Sequence, residues 1–360
     1  MALKFHKLKV KQKVQETSDA LSLIFDLPSE LKSEYDYKPG QYLTLRFFIN
    51  NKDERRAYSF ASSPHYDSDI KVTIKEVKNG IISNHISNNI KIGDMIDVMT
   101  PTGNFTAKLD EKNSKNYIFF AGGSGITPII SLIKSILKIE KDSVVSLVYG
   151  NKDYDSIIFK KDLQSLILEF GNRLSVIHIL DELKTNFESA KGLISEKFCV
   201  DFLNNNNNFL QSIYYLCGPS GFIDIVENTL IKLKIENKLI HKESFTVSNK
   251  TENKIKAPTP SSPEFGTESK LIKIVLYGEE IEVEVKEEET IIEACQRAGL
   301  EPPYSCCVGA CSTCISKLES GKVEMDDDMA LTDEEKEEGL ILACTSHPMS
   351  DDVKIDFDYY

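Results

Sequence analysis

The sequence predicts a multi-domain protein: an antiparallel β-barrel, then an α/β domain with a parallel sheet, then a small α+β domain. Three observations carry this reading. The chain has 360 residues, more than one hydrophobic core usually organises. Its hydrophobic period changes near Asn116 from alternation to strand, turn and amphipathic helix. Its charge is also divided, since residues 268–360 hold 24 Asp and Glu against 8 Lys and Arg, while the rest holds 32 against 35. Such asymmetry marks separate modules.

The barrel is read from short alternating runs bounded by Gly, Pro, Asn or Asp: Leu21 to Leu27, Gln41 to Phe48, Asp69 to Val77 and Asp94 to Met99. The α/β domain is read from an apolar strand at Tyr117 to Ala121, a glycine turn, an amphipathic stretch to Leu137 and a second strand at Ser143 to Tyr149. Further strands at Leu174 to Leu180 and Ser212 to Leu216, with helices at Phe159 to Phe170 and Gly221 to Lys234, continue the rhythm of a parallel sheet. Boundaries follow at 1–110, 111–248 and 269–360. Between them, 249–268 has the Lys, Thr, Asn, Ser and Pro composition of a flexible linker with a reach of about 25 Å.

Composition narrows the function classes. Hydrophobic residues at 41% and charged residues at 28% suit a soluble globular chain. A net charge of -13 argues against nucleic acid as a partner. The longest uncharged run, Asn116 to Ile133, is broken by Gly122, Gly123, Gly125 and Pro128, so no membrane insertion is expected. Met1 to Val10 carries lysines and no apolar core, which leads to an expected cytoplasmic location. The composition leaves the oligomeric state open.

Of eight cysteines, Cys306, Cys307, Cys311, Cys314 and Cys344 crowd the last sixth of the chain. Cys306, Cys311 and Cys314 form C-x4-C-x2-C, with Cys344 downstream, the spacing of a plant-type 2Fe-2S centre held by four thiolates. The small residues Gly309, Ala310, Ser312 and Thr313 leave backbone N–H groups room to approach the cluster sulfurs. Zinc would want paired C-x2-C motifs or histidines, and His347 is the only histidine after His241. Cys307 offers an alternative x3 spacing and is read as a spectator, while Cys295 reads as core filling in a helix.

G-G-S-G-I-T-P at 122–128 follows an apolar strand and precedes a helix, so Gly122, Gly123 and Gly125 admit a pyrophosphate to the helix N-terminus, beside Ser124 and Thr127. R-A-Y-S at 56–59 places a guanidinium, a flat aromatic ring and a hydroxyl along one extended segment, the parts a flavin needs. G-I-I-S-N at 80–84 opens a helix after a strand, a second phosphate cradle.

P-Y-S-C-C-V-G-A-C-S-T-C at 303–314 with G-L-I-L-A-C-T-S-H-P at 339–348 resembles a plant-type ferredoxin domain, which implies a β-grasp-like fold. The preceding chain resembles the ferredoxin-NADP reductase superfamily. The domain order is similar to the oxygenase reductases, a family that includes the reductase component of phenylacetyl-CoA epoxidase. The resemblance implies FAD held by Arg56, Ala57, Tyr58, Ser59, Lys75, Val77, Gly80, Ile82, Ser83 and Asn84. It implies a nicotinamide site at C-G-P, Cys217, Gly218 and Pro219, with Asn151 and Lys152 at the nucleotide's far end and Phe245 shielding the flavin. Ser59, Cys217 and Glu243 would be catalytic. Lys152 favours the 2′-phosphate of NADPH over NADH, although Asp153 beside it pulls the other way. The expected reaction passes electrons from NADPH (or NADH) through FAD and the 2Fe-2S cluster to an oxygenase component, phenylacetyl-CoA epoxidase among the candidates. Another acceptor, such as a desaturase, a different hydroxylase or a soluble carrier, is a second reading. A redox-responsive binding protein is a third.

Overall fold

The structure is a computed structural model that describes residues 4–182, 190–206, 208–245 and 269–359. The linker expected at 249–268 lies outside the described residues. Two compact units are present, residues 5–246 and a second that contains the C-terminal residues.

The first unit begins with β1 (Phe5–Thr17), β2 (Ala20–Asp26), β3 (Tyr42–Ile49), β4 (Lys52–Ser59), β5 (Ile70–Lys75), α1 (Ile81–Asn89) and β6 (Met95–Met99). The strands pair antiparallel in the order β4-β3-β6-β1-β2-β5, and a bridge between Phe60 and Val72 brings the two edges together. Alternation along each strand sends Leu8, Val10, Leu21, Leu23, Leu43, Leu45, Val72 and Val98 into one core. Ile82 and Ile86 of α1 plug into the same core.

The chain continues as β7 (Asn116–Gly122), α2 (Ile126–Ile139), β8 (Val144–Asn151), α3 (Lys160–Phe170), β9 (Leu174–Leu180), β10 (Ala190–Lys191), α4 (Glu196–Asn204), β11 (Ile213–Gly218), α5 (Ser220–Lys232) and β12 (Ile240–Ser244). These strands form a parallel sheet, β10-β9-β8-β7-β11-β12. Tyr117, Phe119 and Ala121 of β7 pack with α2 and α3, whereas Ile118 and Phe120 pack with α4 and α5. Burial on both faces explains the unbroken apolar run of β7. Strand order reverses between β7 and β11, and ligands of such sheets lie outside the strand ends at that reversal. Fully buried Glu140 ties the entry to this sheet, accepting from Ser143 Oγ (2.7 Å), Asn113 Nδ2 (2.6 Å) and Tyr117 OH (3.0 Å).

The C-terminal unit contains β13 (Lys270–Leu276), β14 (Glu279–Val285), α6 (Ile291–Arg297), β15 (Ile315–Ser320), β16 (Val323–Met325), α7 (Asp333–Glu337), β17 (Leu340–Leu342), β18 (Ser346–Pro348) and β19 (Lys354–Asp356). Its mixed sheet runs β14-β13-β19-β15-β17, with β16 and β18 paired apart. Thr290 and Glu293 form a capping box that starts α6 where the sequence changes from acidic to apolar. Buried Cys295 fills the core under α6, and Cys199 does the same in α4. Burial pushes both thiols up to about 12, which leaves them inert.

Candidate active site and iron-sulfur centre

β4 sets the flavin-side residues by its alternation. Arg56 lies opposite Leu45 and Tyr58 opposite Leu43, so the two share a face. Arg56 is exposed and Tyr58 half-buried, while Ala57 lies opposite Thr44 on the other face. α1 starts at Gly80 with no acidic residue in its first turn and no side-chain cap, which leaves its N-terminal amides open to an anion. A Cβ on Gly80 would come within 2.5 Å of Ser83 Oγ. That hydroxyl accepts from Val77 N (3.2 Å) and closes the turn. At the other end of α1, Lys13 Nζ donates to the carbonyls of Ser87 (2.7 Å) and Ile90 (2.9 Å), a cation on the negative pole of the helix. These features fit a flavin pyrophosphate. Ile82 differs from a simple reading, because its side chain is spent in the barrel core and only its backbone N–H, in the first turn of α1, is left for an anion. Lys75 pairs with Asp19 (3.2 Å), Val77 is exposed, and Asn84 follows in the first turn of α1.

The nucleotide crevice is built from two loops in close contact. A Cβ on Gly125 would stand 2.1 Å from Cys217 O, and one on Gly122 would meet Pro219 Cδ at 2.9 Å. No side chain fits at either position, so the two loops pack in direct contact. Gly123 adopts φ +52°, and its carbonyl accepts from Tyr149 OH (3.1 Å). Thr127 Oγ1 donates to Ser124 O (3.1 Å), and α2 begins without an acidic residue in its first turn. Pro128 sits in that turn, where its missing N–H costs no helix bond. These are the properties of a dinucleotide cradle. At the end of β8, Asn151 is buried and Lys152 exposed. Backbone bonds from Asp181 N to Asn151 O (3.2 Å) and from Glu182 N to Lys152 O (2.8 Å) place two acids beside that lysine.

The three residues expected to be catalytic converge. Cys217 lies in register with Ala121 on one side and Glu243 on the other. Ser59 Oγ donates to Glu243 Oε2 at 3.5 Å across 184 residues of sequence. Burial pushes the Glu243 carboxyl up to about 8, partly offset by the Ser59 hydroxyl. Cys217 is held well above the ordinary thiol range by burial first and by Glu243 second. A neutral acid, a hydroxyl and a protonated thiol therefore meet where the flavin strand and the nucleotide loops face each other. Gly218 and Pro219 complete the loop above α5, and Phe245, just beyond β12, is exposed.

In the C-terminal unit Cys311, Cys314 and Cys344 are buried, Cys306 is partly buried and Cys307 is exposed. Cys306 interacts with Cys311 and Cys344, and Cys344 with Cys314. Among the described residues no three His, Cys, Asp or Glu side chains group around a single-ion site. A two-iron centre divides four thiolates between two metals. The loop turns through left-handed conformations at Cys307 (φ +55°) and Gly309 (φ +71°). A Cβ on Gly309 would approach Asp327 O to 2.9 Å. The donor set and its tight loop fit the cluster, and they separate Cys306 from exposed Cys307. Sequence reasoning missed Tyr149 beneath the glycine loop and Lys13 beneath α1, because neither stands in a motif.

What fold and site define together is a class: oxidoreductases that take two electrons as hydride from a nicotinamide nucleotide and release them singly through iron and sulfur. Comparison with known proteins bears this out. Residues 7–107 match the oxidoreductase FAD-binding domain, 119–228 the oxidoreductase NAD-binding domain, and 274–349 the 2Fe-2S iron-sulfur cluster binding domain. The chain is 34% identical to the ferredoxin reductase component of 3-ketosteroid-9-alpha-monooxygenase from Rhodococcus rhodochrous, over 97% of this chain and 96% of that one. It is 30% identical to one of the subunits of 1,2-phenylacetyl-CoA epoxidase from Escherichia coli, over 98% of each. The crystal structure of phthalate dioxygenase reductase shares the fold with a TM-score of 0.57 at 21% identity, over 98% of both chains. The chain belongs to the ferredoxin-NADP reductase-like oxidoreductases that carry a C-terminal 2Fe-2S ferredoxin domain. FAD, a nicotinamide nucleotide and a 2Fe-2S cluster are its cofactors. No helix among the described residues is long and apolar enough to cross a membrane.

Proposed function

We propose that this chain is the reductase component of a multicomponent oxygenase, passing electrons from NADPH to a separate oxygenase protein. Full-length similarity to reductases of that kind supports the acceptor class. The observation that carries the chemistry is the convergence of Ser59, Cys217 and Glu243 at the switch point. A phenylacetyl-CoA epoxidase is the first acceptor to try and a 3-ketosteroid monooxygenase the second. A reducing cytoplasm suits a four-thiol centre.

A bound flavin would supply the exchange between two-electron hydride chemistry and one-electron transfer that the cluster requires. Arg56 and the amides that open α1 at Ile82 and Ser83 would hold the flavin pyrophosphate, with Asn84, whose own amide is spent on the Gly80 carbonyl, beside them, and Tyr58 would cover a ring face. Gly122, Gly123, Ser124, Gly125 and Thr127 present the N-terminus of α2 to the nucleotide pyrophosphate. Cys217, Gly218 and Pro219 wall the nicotinamide end and exclude water. Glu243 keeps its own proton at neutral pH, so its hold on the Ser59 hydroxyl is weak, 3.5 Å, and that hydroxyl is free to turn to the flavin edge. Phe245 covers that edge until nucleotide arrives. Cys306, Cys311, Cys314 and Cys344 are the cluster ligands.

Lys152 reads the 2′-phosphate of NADPH. Lys152→Ala should raise KM for NADPH about tenfold and leave KM for NADH within about twofold; equal effects would remove the role. The acceptor is tested by affinity capture of the reduced protein from its own cell extract, then NADPH-dependent turnover with each purified oxygenase candidate. Efficient reduction of a soluble carrier without any oxygenase turning over would overturn the assignment.

A further inference from the structure

We propose that Lys134 is a positioning residue for hydride transfer: with Asp67 it sets the approach of the nucleotide loop to the flavin strand. This rests on the reading of the crevice given above. Ser131, Lys134 and Ser135 lie on one face of α2, at positions three and four apart. That face meets the segment that continues β4 beyond Ser59. Ser131 Oγ donates to Ser62 O (2.6 Å), and the Ser63 and Ser135 hydroxyls share a bond of 2.7 Å. Lys134 Nζ donates to both oxygens of Asp67 (3.0 and 3.1 Å), and Asp67 also accepts from Ser63 N (2.7 Å). Lys134 is only 4% exposed.

An apolar contact between two domains is tolerant of small slides, because hydrophobic burial has no direction. Hydrogen bonds and a partly buried ion pair do have direction, and together they favour one register. The two elements they join are the ones that matter for the reaction. Ser59 stands three residues before Ser62, and Gly125, packed on Cys217, immediately precedes α2. Ser62 is itself fixed from the barrel side, since its hydroxyl accepts from Lys71 N (3.0 Å) and pairs with Tyr37 OH (2.8 Å). A displacement along this seam is therefore passed directly to the gap between Ser59 and Cys217. Rates of transfer fall steeply with misplacement of about 1 Å.

The test separates position from stability. In Lys134→Met/Asp67→Asn both charges are removed together, so no uncompensated charge is left in the seam, and Asn still accepts from Ser63 N. In the full-length protein with its cofactors, thermal unfolding should stay near that of the parent and the dissociation constant of NADPH within about twofold, while flavin reduction at saturating NADPH slows about tenfold. The charge-transfer absorbance formed with NADP+ should weaken in parallel, and Lys134→Arg should restore both signals. Should the double variant fold poorly, Ser135→Ala supplies the same comparison with an expected slowing of about threefold. Parent-like flavin reduction in either folded variant would overturn the proposal. A parent protein whose flavin is reduced by neither NADPH nor NADH would instead overturn the reading of the crevice.

Discussion

The cluster loop and the hydride crevice solve the same problem, holding a redox group, in opposite ways. Three of the four thiols proposed to hold the cluster fall between Cys306 and Cys314, and the backbone between them needs little beyond a turn through Cys307 and Gly309. The crevice draws Ser59 and Glu243 together from 184 residues apart, and it depends on two loops packed so tightly that Gly125 has no room for a methyl group. Metal ligation is strong enough to organise a short loop by itself. A weak contact of 3.5 Å between a hydroxyl and an acid is not, so the scaffold must supply the organisation.

Damage should therefore stay local in one region and spread in the other. The largest effect is expected at the cluster: Cys311→Ser should cut electron delivery to a one-electron protein acceptor about 100-fold or more while flavin reduction by NADPH stays within about twofold. Stopped-flow absorbance of flavin and acceptor checks both, and slowed flavin reduction would break the separation. Next comes Gly125→Ala, where the added methyl meets the Cys217 carbonyl. It should destabilise the nucleotide domain by about 2 kcal/mol and slow flavin reduction roughly 10- to 100-fold. The cluster's electron paramagnetic resonance signal should be unchanged, and a normal hydride rate would show that the two loops can part freely.

The smallest effect is a pH dependence. With its pKa raised to about 8, Glu243 is neutral at pH 7, and as pH rises through that value it becomes a carboxylate that accepts the Ser59 hydroxyl hydrogen bond more strongly and holds that hydroxyl away from the flavin edge. Flavin reduction should fall a few-fold over this range, and Glu243→Gln should flatten the profile; an unchanged inflection would place it elsewhere. Stability carries the same sign. Between the ordinary carboxylate value and about 8 the folded chain keeps a proton that the unfolded chain has lost, so raising pH across that window costs stability, which the Gln variant would not show.

The contrast also explains what could be read in advance. C-x4-C-x2-C, G-G-S-G-I-T-P and R-A-Y-S are local because each holds its group through consecutive backbone or side-chain atoms, and the strands and helices around them follow the hydrophobic period. Lys134 was not legible: in the sequence it is one charged residue in an apolar helix, and nothing nearby announces Asp67. Lys13, 74 residues before the Ser87 carbonyl it reaches, gave no signal for the same reason. The exposure of Cys307 against the burial of its neighbours Cys311 and Cys314 also needed the folded loop.

By itself the sequence determined the three cofactor chemistries, the order of the domains and the acidity of the last one. These properties reside in short motifs, in periodicity and in formal charge, none of which requires distant segments to meet. Only the tertiary structure decided that Glu243 is a neutral acid beside Ser59, that Gly125 rests on Cys217, and that an ion pair of buried Lys134 with half-buried Asp67 joins the segment after the flavin strand to α2. Burial, register and proton affinity are properties of neighbours, and the neighbours here come from opposite ends of the unit.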